Sequence, residues 1–288
     1  MSDYDYNKDP QGAESFFELK KDKRTKRFLE AIKDLSHPKI LEIGMGQGRF
    51  LKKIARFRPD AEFFGIDISR SAIDLVKNDS HLNGTFLIGD AEKIPFPNNS
   101  FDVVVIMDVL EHVPNPEKVI AEVNRVLKHD GIFHFFVPCE GQQFTLDRFL
   151  KKTNFLGFGN FTKVHFGHIQ YFSQSDIKKL ASPYFLELSI TYSSHWISQM
   201  LNFFTLYLPK KLIPLFGEDI QRKTRDAYKS EIKDESINDI IIIFKKLWLL
   251  FTFPISIVCE IEAALLKNLN LTAQGLHFTG QKNKPNLN

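Results

Sequence analysis

Residues 39–48 read KILEIGMGQG and place a short apolar run directly before three glycines. Such a run predicts a buried strand that enters a tight turn. Gly44, Gly46 and Gly48 let the backbone approach a ligand, and the start of the next helix offers unpaired N–H groups to a carboxylate or phosphate. The dinucleotide fingerprint places its third glycine one residue later, so the spacing leans away from NAD.

Outward from this turn, strand-like and helix-like segments alternate. Helices are predicted over 49–57, 70–78 and 116–127, and further strands over 61–69, 84–90, 101–109 and 131–138. Five strands alternating with helices imply a parallel sheet that is covered on both faces. The 288 residues suit one large α/β domain or one domain with an insertion.

Beyond Pro138 the pattern is less regular. Residues 141–170 are rich in Phe and Gly and are interpreted as a lid. A helix capped by Ser173 and Asp176, a sixth strand at 185–194 and a last strand at 275–281 follow. The predicted organisation is an N-terminal helical cap (1–35), a core (36–195), an apolar helical insertion (196–270), and the last strand with a tail (271–288).

Composition excludes several classes of protein. Two cysteines, Cys139 and Cys259, are too few for a disulfide framework or a cysteine-ligated zinc site. The N-terminus lacks the pattern of a signal peptide, which predicts a cytoplasmic protein. The net charge of +3 is too small to argue for nucleic acid. The basic run at 20–27 could meet anionic lipid or RNA, but is more often a solvated helix face.

Two acidic residues follow successive strands. Asp67 closes the second strand, where a carboxylate can accept hydrogen bonds from both ribose hydroxyls of an adenosine ligand. Asp90 ends the third strand, where it could accept from an adenine amino group. Each alone could be a turn or helix cap, but ligands of open α/β sheets bind outside the carboxyl ends of the strands.

These features resemble a class I S-adenosylmethionine (SAM) dependent methyltransferase, of the large group that includes quinone-biosynthesis methyltransferases. The resemblance is carried by LEIGMGQG at 41–48, Asp67, GDAEKIPFPNNSFDVVVIMDVLEHV at 89–113 and AEVNRVLKHDGIFHFFVP at 121–138. Residues 168–180 and 275–282 match more loosely. The resemblance implies an α/β fold with a Rossmann-like seven-stranded sheet and helices on both faces. The apolar helical residues between the sixth and seventh strands are interpreted as an insertion into this fold.

The resemblance also implies SAM as the cofactor. Glu42 and the three glycines would hold its methionine part, Asp67 the ribose, and Asp90 with Ala91 the adenine. The predicted cofactor site is therefore Glu42, Gly44, Gly46, Gly48, Asp67, Ile68, Asp90, Ala91 and Asp108. Met45 departs from the family, which often has a small residue or Cys at that position.

The sulfonium of SAM makes its methyl group an electrophile, so the protein mainly positions a nucleophile and excludes water. A hydroxyl or acidic carbon acceptor needs a general base, whereas an amine or thiolate needs less help. His112, His165 and His168 are the candidates, and each could equally be a structural or solvated side chain. No cluster has metal-ligand spacing, so no metal is expected.

The insertion bears on the acceptor. Residues 196–208 form an amphipathic pattern, and residues 237–267 are apolar apart from a narrow polar stripe. Such helices could lie in a membrane interface, on its cytoplasmic face, through 196–267, or could pack against each other or a partner subunit. Since the sixth strand should be parallel to the others, the insertion would leave it near the SAM site and cap a lipophilic acceptor.

Three functions remain open from the sequence. The chain could methylate a small lipophilic acceptor drawn from a membrane. It could instead methylate a soluble small molecule and use the insertion for dimerisation, or bind SAM at a membrane without turnover. Nucleic-acid methylation is disfavoured, because Asp108-Val109-Leu110-Glu111 stands where amino-methylating enzymes carry their (Asn or Asp)-Pro-Pro-aromatic motif. The acceptor atom and the oligomeric state are left undecided.

Overall fold

A computed structural model describes residues 23–79, 82–204, 208, 258–259, 261–262, 265–266, 268 and 272–283. The described helices are α1 (Lys23–Ala31), α2 (Arg49–Phe57), α3 (Arg70–Lys77), α4 (Pro116–Val126), α5 (Leu146–Thr153), α6 (Phe161–Phe166), α7 (Gln174–Ala181) and α8 (Trp196–Asn202). The strands are β1 (Lys39–Ile43), β2 (Glu62–Asp67), β3 (Thr85–Ile88), β4 (Phe101–Met107), β5 (Leu127–Pro138), β6 (Phe185–Ser193) and β7 (Gly275–Lys282).

The seven strands form one mixed sheet in the order β3-β2-β1-β4-β5-β7-β6. Strands β1 to β5 pair in parallel, β7 is antiparallel to β5, and β6 is antiparallel to β7. Strand β6 therefore runs parallel to the first five, as the sequence predicts. The order reverses between β1 and β4, and ligands of such sheets bind outside the carboxyl ends at this switch point.

Apolar side chains cover both faces of the sheet. One core packs β-strand residues such as Phe133 and Phe278 against α4 and α7, and the other packs Ile40 and Phe63 against α1, α2 and α3. Many of the chain's phenylalanines lie in these two cores. Each fully buried side chain of this kind stabilises the fold by roughly 1.5–3 kcal/mol. The two cores hold the carboxyl edge of the sheet in a fixed shape.

Most predicted elements are present, with differences at their ends. Helix α2 spans the predicted 49–57, and the capping box of Ser173 and Asp176 begins α7. The lid, expected to be irregular, contains α5, a 3-10 turn at Phe155–Gly157 and α6. The C-cap residues are Asn154 for α5 and Gly167 for α6, and each helix is too short for its periodicity to show in the sequence.

The predicted insertion is described only at its two ends. Helix α8 covers the first seven residues of the predicted amphipathic segment. The apolar segment at 237–267 lies almost wholly outside the described residues, as do residues 1–22 of the N-terminal cap. None of the helices in the described ranges is both long enough and apolar enough to span a bilayer.

Candidate active site

The glycine turn joins β1 to α2 at the switch point of the sheet. Gly44, Gly46 and Gly48 have φ of 69°, 51° and 67°, in the left-handed region that favours glycine. A Cβ on Gly44 would lie 2.3 Å from a Val109 methyl group, so the turn also packs too tightly for a side chain there. The turn thus presents bare backbone toward the carboxyl edge.

Asp67, at the end of β2, holds this turn in place. One carboxylate oxygen accepts from the Gly46 N–H at 2.8 Å, and the other accepts from the Ser69 N–H at 2.9 Å. The side chain is buried. A carboxylate has about four lone-pair sites, so these contacts leave capacity for ribose hydroxyls. Asp67 is therefore a structural member of the turn whichever ligand it also contacts.

Glu42 is buried in β1 directly before the glycine turn. Burial, with a smaller contribution from the Asp67 carboxylate, raises its pKa well above the ordinary range. One of its carboxyl oxygens is buried with no hydrogen-bond partner. An ammonium group of a bound amino-acid moiety would satisfy this oxygen, so the residues present suit the methionine end of SAM.

The predicted adenine contacts lie at the ends of β2 and β3. Asp90 is exposed and accepts from the Glu92 N–H at 2.9 Å, while Ala91 is half-buried beside it. Ile68 and Ile88 are each 45% exposed, and Asp67 pairs with Ile88 between the strands. These two isoleucines offer apolar surface for a flat ring. Ile88 was missed from the sequence, where it reads as an ordinary strand residue.

Asp108 follows β4 with a φ of 54°, and its carboxylate is paired with the guanidinium of Arg24 from α1. The same guanidinium lies 3.7 Å from the centroid of the Phe136 ring. Helix α1 therefore reaches over the carboxyl ends of β4 and β5. The interpretation of the whole basic run as a solvated helix face is wrong for Arg24, which contacts Asp108 and Phe136. These contacts could not be found from the run itself, because both partners are distant in the sequence.

A second cluster lies beyond β4 and β5, on the other half of the carboxyl edge. His168 Nδ1 lies 2.6 Å from a carboxylate oxygen of Glu140, which is buried. The ring of His112 packs edge-on against that of His168, with centroids 5.0 Å apart. The buried Glu111 completes the group, with one carboxyl oxygen 4.0 Å from His112 Nε2. Glu111 and Glu140 were not predicted.

Backbone contacts bring the lid histidine to this place. The N–H groups of Ile169 and Gln170 both donate to the Glu111 carbonyl, at 2.9 and 3.0 Å. The Gly167 carbonyl lies 3.3 Å from His112 Nδ1. The end of the lid is thus bonded to the loop after β4, which sets His168 beside His112. This long-range pairing could not be found from the spacing of the two histidines.

The pKa values of the acid and the imidazole in this cluster are shifted in opposite directions. Burial raises the pKa of Glu111 well above its ordinary range, and the carboxylates of Asp108 and Glu140 raise it further. Burial lowers the pKa of His112, and His168 lowers it further. Glu111 and Glu140 each keep one buried oxygen without a hydrogen-bond partner. The group combines neutral imidazole with buried acid, which is the composition of a proton-transfer site.

The same cluster has the makings of a cation site. One ligand atom each from Glu111, His112 and His168 can be chosen so that all lie within 4.8 Å of one another. The sequence shows no cluster with metal-ligand spacing, but in the fold residues from two loops come close enough to form one. His165 lies in α6, and its side chain is outside the described part of the chain, so its catalytic role stays a prediction.

Comparison with known proteins agrees with this geometry. Residues 41–135 match the family model described as a methyltransferase domain. The chain is 35% identical over 103 residues to the phthiotriol/phenolphthiotriol dimycocerosates methyltransferase of Mycobacterium tuberculosis, covering 35% of this chain and 38% of that protein. It is 28% identical to the demethylmenaquinone methyltransferase of Thermotoga maritima, covering 42% of this chain and 53% of that protein.

The chain thus spans about two fifths to one half of the length of these relatives. Among solved structures, the phosphoethanolamine N-methyltransferase 2 of Haemonchus contortus in complex with SAM superposes with a TM-score of 0.53 at 15% identity, covering 91% of this chain and 53% of that one. The fold is that of a class I SAM-dependent methyltransferase. Residues 41–135 match a methyltransferase domain, and this stretch contains Glu42, the glycine turn and Asp67.

Proposed function

We propose that this protein transfers the methyl group of SAM to a hydroxyl oxygen of a small lipophilic acceptor, with His168 as the general base. The observation that carries the proposal is the contact between His168 and the buried Glu140 at the carboxyl edge, next to His112. The similarity to lipid and quinone methyltransferases supports an apolar acceptor.

The cofactor is assigned to the side of the edge formed by β1, β2 and β3. The Glu42 carboxyl and the glycine turn bind the methionine end, Asp67 the ribose, and Ile68, Ile88 and Asp90 the adenine. When bound there, SAM supplies an electrophilic methyl group on its sulfonium. Support comes from the unpartnered, buried oxygen of Glu42 and from the apolar surface that the two isoleucines leave exposed.

The base is assigned from hydrogen-bond roles. A carboxylate of Glu140 accepts, so His168 Nδ1 carries the proton and its Nε2 keeps a lone pair. Nε2 takes the acceptor's hydroxyl proton as the new oxygen–carbon bond forms and the sulfur–carbon bond breaks. Glu140 orients the ring and stabilises the imidazolium that results. This is the base-and-orienter arrangement found in many nucleophilic enzymes.

His112 is assigned a different role at the same site. Its lowered pKa keeps the imidazole neutral at physiological pH, so it adds no charge that would oppose protonation of His168. Its edge-on contact fixes the second side of the His168 ring. We assign His112 to positioning the base and contacting the acceptor.

The test is to incubate the full chain with radiolabelled SAM, a total membrane-lipid extract and the soluble metabolite fraction. Label in the organic phase, lost in the His168→Asn variant, is the expected result. Label confined to the aqueous phase would overturn the lipophilic acceptor and favour a soluble one. Bound SAM without label in either phase would overturn methyl transfer to a small molecule.

A further inference from the structure

The lid, residues 141–170, carries an apolar outer surface that methyl transfer itself does not require. Five of its apolar side chains are between 49% and 72% exposed, namely Phe144, Phe149, Phe155, Leu156 and Val164. Single exposed apolar side chains are ordinary, but five in one short segment are not. Residues 151–157 are all exposed and form the tip of the lid.

The backbone of the tip holds an unusual conformation. Asn154 and Leu156 both have a φ of 49°, in the left-handed region. Asn tolerates this region, but a bulky residue such as leucine rarely adopts it. Such conformations persist where the surrounding structure imposes them, and they occur at sites of function. Here the conformation presents the Leu156 side chain to solvent, while the rings of Phe149 and Phe155 lie 6.3 Å apart.

The tip rests on a small core of its own. The buried side chains of that core are Leu146, Leu150, Phe158, Phe161 and Phe203. The Leu146 N–H donates to the Gln199 side chain at 2.6 Å, which ties α5 to α8. The exposed apolar residues are therefore carried by an anchored structure, with a separate set of apolar residues below them.

Helix α8, which lies beside α5, also exposes apolar side chains. Its polar residue Gln199 is buried and bonded to the backbone of Ser194 and Thr272. Trp196 and Met200 point outward and are about two fifths exposed. An ordinary surface helix buries its apolar side and exposes its polar side. The opposite arrangement here extends the apolar surface of the lid.

Positive charge accompanies this surface. Arg148, Lys151 and Lys152 of α5 line an open cavity of about 770 Å³, with Asp176 and Glu140 also on its wall. Glu140 is the residue that contacts His168, so the cavity and the proposed base share a wall. Exposed apolar tips flanked by lysines suit an anionic lipid surface, where apolar side chains insert and cations meet the headgroups.

We propose that the lid inserts into the surface of an anionic lipid bilayer through Phe155 and Leu156 of its tip and through the neighbouring Phe149, with Lys152 contacting the headgroups. The lid follows the carboxyl end of β5, so docking brings that edge of the sheet to the membrane. This proposal deepens the proposed function, on which it rests, because it names the surface from which the lipophilic acceptor would enter.

The test is co-flotation of the full chain with vesicles of phosphatidylcholine, with or without phosphatidylglycerol. Wild type should float with the anionic vesicles, and the F155S/L156S variant should partition about tenfold more weakly, since two apolar side chains are removed. The matched control is Phe57→Ser, at an exposed phenylalanine at the end of α2, on the opposite edge of the sheet. It should float as wild type does.

Charge is tested separately. Lys152→Glu should weaken binding to anionic vesicles severalfold, with little change on neutral ones, and Lys77→Glu on α3 should change neither. The proposal is overturned if wild type does not float, if F155S/L156S floats as well as wild type, or if Phe57→Ser weakens binding equally. Flotation does not depend on methyl transfer, so the two proposals can fail separately. A protein that transfers methyl groups but does not float would contradict only the docking surface. A protein that floats but transfers no methyl group would contradict only the proposed function.

Discussion

The two sides of the carboxyl edge are built in different ways. On the cofactor side, Asp67 and the glycine turn follow neighbouring parallel strands, β2 and β1, which a regular strand–helix–strand unit brings together. On the proposed acceptor side, beyond β4 and β5, Glu140 and His168 stand at the two ends of the lid. They meet because those ends are bonded to each other, through the Gly141 N–H and the Phe172 carbonyl, and to the loop after β4. A regular strand–helix–strand pattern therefore positions the cofactor side, while contacts between irregular loops position the acceptor side.

The largest expected effect is on the acceptor side. Replacing His168 with Asn removes the proposed base while keeping a polar side chain of similar reach. The methyl-transfer rate should fall by roughly 10²–10⁴, the usual contribution of a positioned general base. Glu140→Gln should lower the rate less, because the ring stays in place without its carboxylate partner. Initial rates with saturating SAM would measure both.

The matched control is His129→Gln, which alters an exposed histidine at the opposite edge of the sheet. It should leave the rate unchanged. A rate in the His168→Asn variant equal to that of wild type would remove His168 from the chemistry and would pass the role of base to His112.

Acid should next destabilise the half of the sheet that carries the acceptor side. His134 in β5 and His277 in β7 are buried, and burial lowers the pKa of His134 to about 3 and that of His277 well below its ordinary value. Unfolding returns both to about 6.5, so protonation favours the unfolded chain. The stability that the two neutral imidazoles contribute is fully present above about pH 6.5 and is lost progressively as the pH falls below that value.

Below about pH 6.5, each of these two histidines should lower the free energy of unfolding by up to about 1.4 kcal/mol per pH unit. Urea unfolding at several pH values between neutrality and pH 4 would measure it. His277→Gln should reduce the slope, and His129→Gln should not. An equal slope in both variants would mean that other groups cause the acid sensitivity.

On the cofactor side, Asp67→Asn should weaken SAM binding and lower stability. An amide can accept with only one of the two atoms that now accept from Gly46 and Ser69, so one backbone N–H would lose its partner. The cost should be about 1–3 kcal/mol. Calorimetric titration with SAM and thermal unfolding would measure the two effects. Unchanged affinity would mean that Asp67 serves the turn alone.

The smallest expected effect is that of chelation. In the proposed function the cluster of Glu111, His112 and His168 moves a proton and needs no cation. Dialysis against EDTA should therefore leave the rate within about twofold of its starting value, less than half a kcal/mol. A large loss that a divalent cation restores would contradict this and would make the three residues ligands.

The contrast between the two sides also explains what the sequence could predict. Strand periodicity and the glycine spacing define β1 to β5, and Asp67 is found because strand ends are local features. The lid helices α5 and α6 are too short for a periodic signal. Glu140 reads as a loop residue until its burial and its contact with His168 are known. Gln199 reads as the polar side of α8, yet it is buried by its bonds to three other segments.

The most direct measurement for the account is a calorimetric titration of SAM into the His168→Asn variant, read beside its methyl-transfer rate. If the cofactor and acceptor sides are separate, the variant should bind SAM within about twofold of wild type while its rate falls at least about a hundredfold. Loss of SAM binding in step with the rate would contradict the account, because His168 would then belong to the cofactor site.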